Sequence, residues 1–541
     1  MKKPLKRTVR ILAGVVAAFI LLSGSLPAYA ASEPIAVSAA ASYMEEQVPF
    51  RFIMEAQGAV VSWNNDTKTA KAILKNLSLE VKPGTKEAVV NGRARTLSSE
   101  INSAHGRITV PLSLINEAFS VNLSYDSCIS ILSDSFTQAL AAGRIDDCLF
   151  LQSAYLKNRT TPQMIAQLSA SFNSFGALSE SGKTVGGNLV HQNVTTHYSS
   201  PLMGDLDFIL RFNDVAQVDD LIMKQTYSVP YQAPEYDNPD KYIQKEVVIG
   251  QGEWSLPGTL TLPAGEGPFP AVVLVHGSGP NDRDETLGPL KPFRDLSVGL
   301  ASKGIAVLAY EKRSYEHNLK IAALTDITTW EETTEDAILA GELLKTLKEI
   351  DSSQIYVAGH SQGATLVPRI LETTKESLFK GGIVLSGITR SIADVMLAQY
   401  EYLYSLGMAT KAQVDFYRGQ LELVKAAGFD PANPPEGFML GTPYWWQDMH
   451  SVNPASTAKK LTSPLLILQG ERDYQVTAGE DYQGWLDALE GRDNVAFKLY
   501  PKLNHMYTEG EGAMSTPQEY YLPANIPSYV IEDIASWIFN P

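Results

Sequence analysis

The chain has 541 residues, 44% of them apolar, which is length for about three domains and enough apolar material to give each a core. Its net charge of −16 argues against a nucleic-acid partner, because phosphate binding needs clustered Lys and Arg. Two cysteines, Cys128 and Cys148, are too few for a zinc cluster; in an oxidising compartment they could pair, but their spacing alone does not show it.

The first element is a leader. MKKPLKRTVR carries five positive charges, ILAGVVAAFILL is an apolar run too short to cross a bilayer comfortably, and the segment ends in the small-x-small triplet Ala28-Tyr29-Ala30. This pattern predicts a bacterial secretory signal over residues 1–30, cleaved after Ala30. Cleavage would lower the net charge to about −21. No cysteine follows the apolar run, and no other run reaches about 18 residues, so the mature chain is expected to be soluble, extracellular and without a membrane span.

Residues 33–133 hold a weak internal repeat. VPFRFIMEAQGAVVSW (48–63) aligns with VPLSLINEAFSVNLSY (110–125), each a Val-Pro, a helical Glu-Ala stretch and an alternating strand ending in an aromatic residue. Two such helix–strand units predict a small α+β domain. The first copy resembles the copper amine oxidase N-terminal-like domain, while the second departs from it, with Ser113 in place of Arg51. The copper chemistry in that name is not expected here: the chain lacks a His-x-His and an oxidisable tyrosine between Asn and Asp or Glu. The domain reads as an accessory module, with cell-wall association a role open to it.

Residues 134–240 begin with two or three amphipathic helices (SFTQALAAGRIDDCLFLQSAYLKNRTTPQMIAQLSASFNSFG) and continue with alternating strands (VTTHYSSPLMGDLDFILRFNDVAQVDDLIM). The pattern predicts a second α+β domain and resembles the cystatin-like or NTF2-like module often fused ahead of secreted hydrolases. His191 and His197 are read as structural or surface residues, not as a metal site. The Pro- and Tyr-rich stretch 227–242 reads as a linker.

From residue 243 short apolar strands alternate with helices. PAVVLVHG (270–277), GIAVLAYEKR (304–313), IYVAGHS (355–361), GGIVLSG (381–387), PLLILQG (464–470) and VAFKLYP (495–501) are near-continuous Val/Ile/Leu runs, the pattern of strands buried on both faces of a mostly parallel sheet. EVVIG and WSLPGTLTLP are expected to add an antiparallel edge. TTWEETTEDAILAGELLKTLKEI predicts a helix with Thr329 at its N-cap and Glu332 closing a capping box. The interruption at about 388–462, helical and then aromatic, predicts a cap over the carboxyl edge of the sheet.

The chemistry gathers on Gly359-His360-Ser361-Gln362-Gly363. A buried strand precedes this G-x-S-x-G and a helix follows it, the context in which a sharp turn exposes a nucleophilic serine. A serine needs a base, and only His450 and His505 follow Ser361; His505, after the last core strand, is preferred, since His450 lies in the cap. After PLLILQG come Glu471 and Asp473, of which Asp473 is the expected acid, Glu471 leaving the strand end too early. The oxyanion donors are expected to be the N–H groups of Gln362 and Ser278, with Gly279 as alternative to Ser278; His276 is expected to brace that loop. Tyr444, Trp445 and Trp446 are candidates to line the substrate pocket.

HGSGPNDRDET, YEKRS, AGHSQGAT, LQGERDYQV and LYPKLNHMY, in that order over residues 243–541, resemble a secreted α/β-hydrolase esterase of the group that includes dienelactone hydrolases and acylaminoacyl-peptidase-like esterases. One departure is YEKRSYEHN, where relatives often have Lys-Arg-Gly and a small-residue turn. The resemblance implies hydrolysis of carboxylic esters, short-chain ones among them, through an acyl-enzyme, with no metal or organic cofactor. It leaves Arg283, Asp284, Lys312 and Arg313 as structural ion-pair or mouth residues. A peptidase or acyl transferase could use the same triad. No blade-like repeat of about 40–50 residues accompanies it, which disfavours the peptidase. The reading from another class is a wall-associated binding protein with an inactive hydrolase domain.

Overall fold

A computed structural model of the chain describes residues 46–104, 107–202 and 204–541. The expected leader therefore lies outside the described residues. The chain divides into two units, one ending at Ser228 and one running from Val229 to Pro541.

In the first unit the two sequence repeats pair with each other. Strands Gln47–Pro49 and Arg107–Pro111 run antiparallel with Val48 opposite Val110, and each Val-Pro leads into a short helix, Phe50–Ala56 or Leu112–Phe119. The first copy continues into strand Val60–Asn64, which opens a five-stranded antiparallel sheet. The second copy does not form the expected strand. The Asn116 side chain accepts from Leu123 N–H and donates to its C=O, and Ser124 then caps helix Tyr125–Ala141. A cap with a local amide bracket takes the backbone groups that a strand would have paired.

Helices Tyr125–Ala141, Ile145–Leu151, Ala154–Lys157 and Pro162–Ser174 precede a four-stranded antiparallel sheet, Ser179–Gly187, Gln192–Ser200, Gly204–Phe212 and Val218–Gln225. The first helix runs across residue 133, where the sequence reading divides the region. The Ser- and Gly-rich strand at 179–187 has no alternating pattern; it exists because it pairs with Gln192–Ser200. His191 Nε2 lies 2.9 Å from Asp219, and His197 Nδ1 lies 2.7 Å from Asp207. Among the described residues no group of three or more His, Cys, Asp or Glu could hold a metal ion. Cys128 and Cys148 are free and buried, and burial pushes their thiols up to about 12 and about 11.

The second unit is a three-layer α/β structure. Its strands are β1 (Tyr242–Ile249), β2 (Leu256–Pro263), β3 (Phe269–Val275), β4 (Ala306–Tyr310), β5 (Ile350–His360), β6 (Gly381–Leu385), β7 (Leu465–Gly470) and β8 (Val495–Tyr500). They lie in the order β1-β2-β4-β3-β5-β6-β7-β8, with β2 antiparallel to both its neighbours, β1 and β4, and every other neighbouring pair parallel. Helices α1 (Pro292–Ser302) and α9 (Ser528–Phe539) cover one face, where Phe293, Leu296 and Leu300 join Val530, Ile531 and Ile534 in one core. On the other face α2 (Glu335–Thr346), α3 (Gln362–Thr373) and α8 (Gln483–Leu489) bury Ala337, Leu366, Ile370 and Trp485 in a second core. A sheet apolar on both faces must be covered twice, which is why its strands read as unbroken apolar runs. The linker tyrosines dock on this unit: Tyr231 donates to Asp295 at 2.6 Å and Tyr236 to Ile526 C=O at 2.7 Å.

Between β6 and β7 the chain forms α4 (Ile392–Ser405), α5 (Lys411–Lys425), α6 (Pro443–Ser451) and α7 (Pro454–Ala458). They have a small core of their own, Ala393, Leu421, Val424, Leu440 and Trp446.

The start of α2 differs from the expected capping box. A π-helical turn, Trp330–Thr334, precedes it, and the capping contact lies one residue earlier, Thr328 N–H donating to Glu331 Oε2 at 3.0 Å. The Thr329 hydroxyl donates instead to Asp448 of α6. The wider turn adds a residue to the coil and re-aims the side chains that follow it, Glu332 among them.

Candidate active site

Ser361 is the single residue between the end of β5 and the start of α3. Its backbone has φ 53° and ψ −114°, a conformation that costs a non-glycine residue about 1–3 kcal/mol. Two bonds hold it there: Ser361 N–H donates to Leu385 C=O of β6 at 2.9 Å, and its own C=O accepts from Thr365 N–H at 3.0 Å. The flanking glycines are steric requirements. A Cβ at 359 would strike the backbone of Gly363, and one at 363 would strike the Val275 carbonyl of β3. The G-x-S-x-G spacing is what a strand needs to turn into a helix that lies against the neighbouring strand.

Asp473 follows β7 and His505 follows β8, so both come from carboxyl ends of parallel strands, as Ser361 does. His505 Nδ1 lies 2.7 Å from Asp473 Oδ2, and the carboxylate is fully buried. Its Oδ1 accepts from the N–H groups of Gln475 (2.8 Å) and Val476 (3.0 Å), and Oδ2 also accepts from Gln469 Nε2 at 3.1 Å. Glu471, the alternative acid, is exposed.

A second imidazole, which the sequence reading passed over, ties the loops together. His360 Nε2 donates to the His505 carbonyl at 2.9 Å, and its Nδ1 lies 3.0 Å from Glu285 Oε2. Glu285 Oε1 in turn accepts from Gly277 N–H at 2.6 Å. Burial opposes the charged form of His360, yet the Glu285 carboxylate holds it above its ordinary value; Glu285 is likewise held below its own value against burial. One buried ion pair thus joins the serine turn, the His505 loop and the loop after β3. The variable position of G-x-S-x-G carries no spacing signal, and Glu285 sits in a loop, so neither stood out.

In the loop after β3, Gly277 N–H is engaged by Glu285 while Ser278 is exposed. Asn281 Nδ2 reaches the carbonyls of Gly277 and Ser278, each at 3.1 Å, and Lys312 Nζ donates to Gly277 C=O at 2.8 Å. An ideal Cβ on Gly277 would lie 3.2 Å from Ser361 Cβ, so the loop passes directly beside the serine. Gln362 is the first residue of α3 and is buried. His276 donates from Nε2 to Asp282 C=O at 3.1 Å and packs on Phe293 and Tyr310; burial pushes it down to about 4, so it is a neutral brace. Arg283 pairs with Glu246 and Glu311, Lys291 with Asp284, and Arg313 with Asp336 and Glu335.

The three aromatic candidates separate. Trp446 belongs to the cap core, and its Nε1 donates to Leu440 C=O at 2.6 Å. Tyr444 is half-buried. Trp445 reaches out of the cap, its Nε1 donating to Glu332 Oε2 at 2.6 Å. Glu332 was expected to cap a helix; the π-helical turn places it beside Gln362 instead.

A model of the alpha/beta hydrolase family matches residues 272–519, and a model of the copper amine oxidase N-terminal domain matches residues 34–130. Esterase EstD of Thermotoga maritima is 36% identical over 408 residues, covering 74% of this chain and 93% of that protein. The matched length exceeds the unit that begins at Val229, so the similarity runs into the preceding unit. Acyl-coenzyme A amino acid N-acyltransferase 2 of Rattus norvegicus is 26% identical over 253 residues, 46% of this chain and 51% of that protein. Among solved structures, Est1E from Butyrivibrio proteoclasticus covers 55% of this chain and 99% of its own, at 17% identity and a TM-score of 0.36.

Proposed function

From the premise that this chain belongs to the alpha/beta hydrolase family and is an esterase, we propose that it cleaves carboxylic esters, short-chain acyl esters among them, through an acyl-enzyme on Ser361. The observation that carries the reading is the bonded, buried Asp473–His505 pair at the strand edge that also bears the strained Ser361.

In this mechanism Asp473 holds the Nδ1–H tautomer of His505, leaving Nε2 as the base. Ser361 Oγ attacks the ester carbonyl carbon as His505 takes its proton. The N–H groups of Gln362 and Ser278 receive the oxyanion. The C–O bond to the alcohol then breaks, His505 returns the proton to the leaving oxygen, and water deprotonated by His505 releases the acid and restores Ser361. Secretion rests on the leader pattern, and the copper amine oxidase N-terminal domain serves as an accessory module compatible with cell-wall association. Helices followed by an antiparallel meander support the reading of residues 134–240 as a cystatin/NTF2-like module.

The test is a rate profile over p-nitrophenyl esters of increasing chain length for the wild type and Ser361→Ala, with fluorophosphonate labelling. Labelling at Ser361 and loss of hydrolysis in the variant are expected; hydrolysis by Ser361→Ala overturns the assignment, and folded protein that neither labels nor hydrolyses favours the binding-protein reading. The similarity to the rat acyltransferase favours acyl transfer as a second reading, which adding an amine acceptor to the same assay would reveal as an amide product.

A further inference from the structure

Glu332 joins three side chains from separate parts of the fold. Its Oε2 accepts from Trp445 Nε1 of the cap at 2.6 Å and from Gln362 Nε2 at 3.0 Å, while Oε1 lies 3.3 Å from Lys312 Nζ. The carboxylate is 12% exposed and Lys312 is 2% exposed, so the pair works away from bulk water. Gln362 is the residue whose N–H faces the oxyanion in the mechanism above, and its side chain is held also by Thr333 at 3.3 Å.

Lys312 acts on the other donor. Gly277 C=O, which accepts from Lys312 Nζ at 2.8 Å, belongs to the same trans peptide as Ser278 N–H. In a trans peptide the C=O and N–H point to opposite sides, so a donor that fixes the carbonyl also fixes the direction of the N–H. Both oxyanion arms therefore lead back to one carboxylate: one through the Gln362 side chain, the other through Lys312. The cap joins the same carboxylate through a single indole N–H.

We propose that Glu332 is a positioning residue that couples seating of the cap to alignment of the two N–H donors beside Ser361. The proposal rests on the esterase reading above. With Trp445 on Glu332, the carboxylate, Lys312 and Gln362 are locked and both donors point at the reacting carbonyl. With the cap lifted, Glu332 loses its shortest contact and the two arms loosen together. This links substrate enclosure to electrostatic stabilisation of the transition state, and the effect falls on kcat more than on KM.

The test compares Glu332→Ala, Glu332→Gln, Trp445→Phe and the Glu332→Ala/Trp445→Phe double variant on p-nitrophenyl butyrate, with thermal unfolding measured alongside. Glu332→Ala is expected to lower kcat about 10-fold or more with KM changed less than about 3-fold. Glu332→Gln keeps an acceptor oxygen and should retain more activity than the alanine variant. Trp445→Phe keeps the ring but loses the N–H, and the double variant should cost less than the product of the single effects. Wild-type kcat in Glu332→Ala, or effects that simply multiply, overturns the proposal. Should the alanine variant not fold, Glu332→Gln and Trp445→Phe decide, and unchanged kcat in both overturns it. Ser361→Ala run in parallel separates the two claims: if it stays active the esterase assignment fails, and if it is dead the Glu332 variants judge the coupling alone.

Discussion

His505 Nδ1 donates to Asp473 Oδ2 at 2.7 Å, while the other carboxylate oxygen is filled by two backbone N–H groups. A carboxylate held on both sides fixes the imidazole tautomer. Asp473→Asn is therefore expected to keep the fold and to lower kcat by about 10⁴-fold, because the amide favours the wrong tautomer of His505. Steady-state hydrolysis of p-nitrophenyl acetate measures the loss, with circular dichroism to check the fold.

Gly359 and Gly363 have no room for a methyl group, since each Cβ would overlap backbone. Gly359→Ala and Gly363→Ala should each destabilise the protein by about 3 kcal/mol or more, because backbone contacts do not yield as side chains do. Denaturant unfolding of the purified variants reads this. Gly419→Ala, at a helical site where a Cβ meets nothing within 4 Å, is the matched control and should stabilise by up to about 1 kcal/mol.

The Glu285–His360 pair gives stability a pH dependence. His360 is raised, so its contribution is complete below its ordinary value of 6.5 and is lost as pH climbs through the raised value. Glu285 is lowered, so its contribution is complete above 4.5 and is lost as pH falls through the lowered value. The pair helps most in the mildly acidic range between those two ordinary values. Glu285→Gln should destabilise most there, because burial then drives His360 to its neutral form and the ion pair is lost, and least at alkaline pH, where His360 is already neutral in the wild type. Thermal melts from pH 5 to pH 10 should show the wild-type and variant curves converging at the alkaline end.

Cys128 and Cys148 are buried thiols raised to about 12 and about 11. Native protein is expected to be unreactive toward a thiol-specific disulfide reagent at pH 8, and unfolded protein to titrate two thiols without prior reduction. Dithiothreitol should leave Tm unchanged.

The sequence by itself determined the parallel sheet, the edge strands, the cap's place between β6 and β7, and the positions of Ser361, Asp473 and His505 relative to strand ends. Those features are local or follow chain order: apolar runs mark buried strands, and two glycines at fixed spacing mark a turn with no room for a Cβ. It misread residues 121–124 as a strand, where the Asn116 bracket and the Ser124 cap won, and it missed strand 179–187, which a partner defines and composition does not. Tertiary structure alone decided that Trp446 faces the cap core while Trp445 faces Glu332, since neighbours on one helix turn point different ways. It alone decided that His360 and Glu285 form a buried pair, and that a π-helical turn carries Glu332 from a helix cap to the serine's side. Charge pairs of this kind join residues far apart in the chain, and their energy depends on burial and distance, which only the folded arrangement supplies.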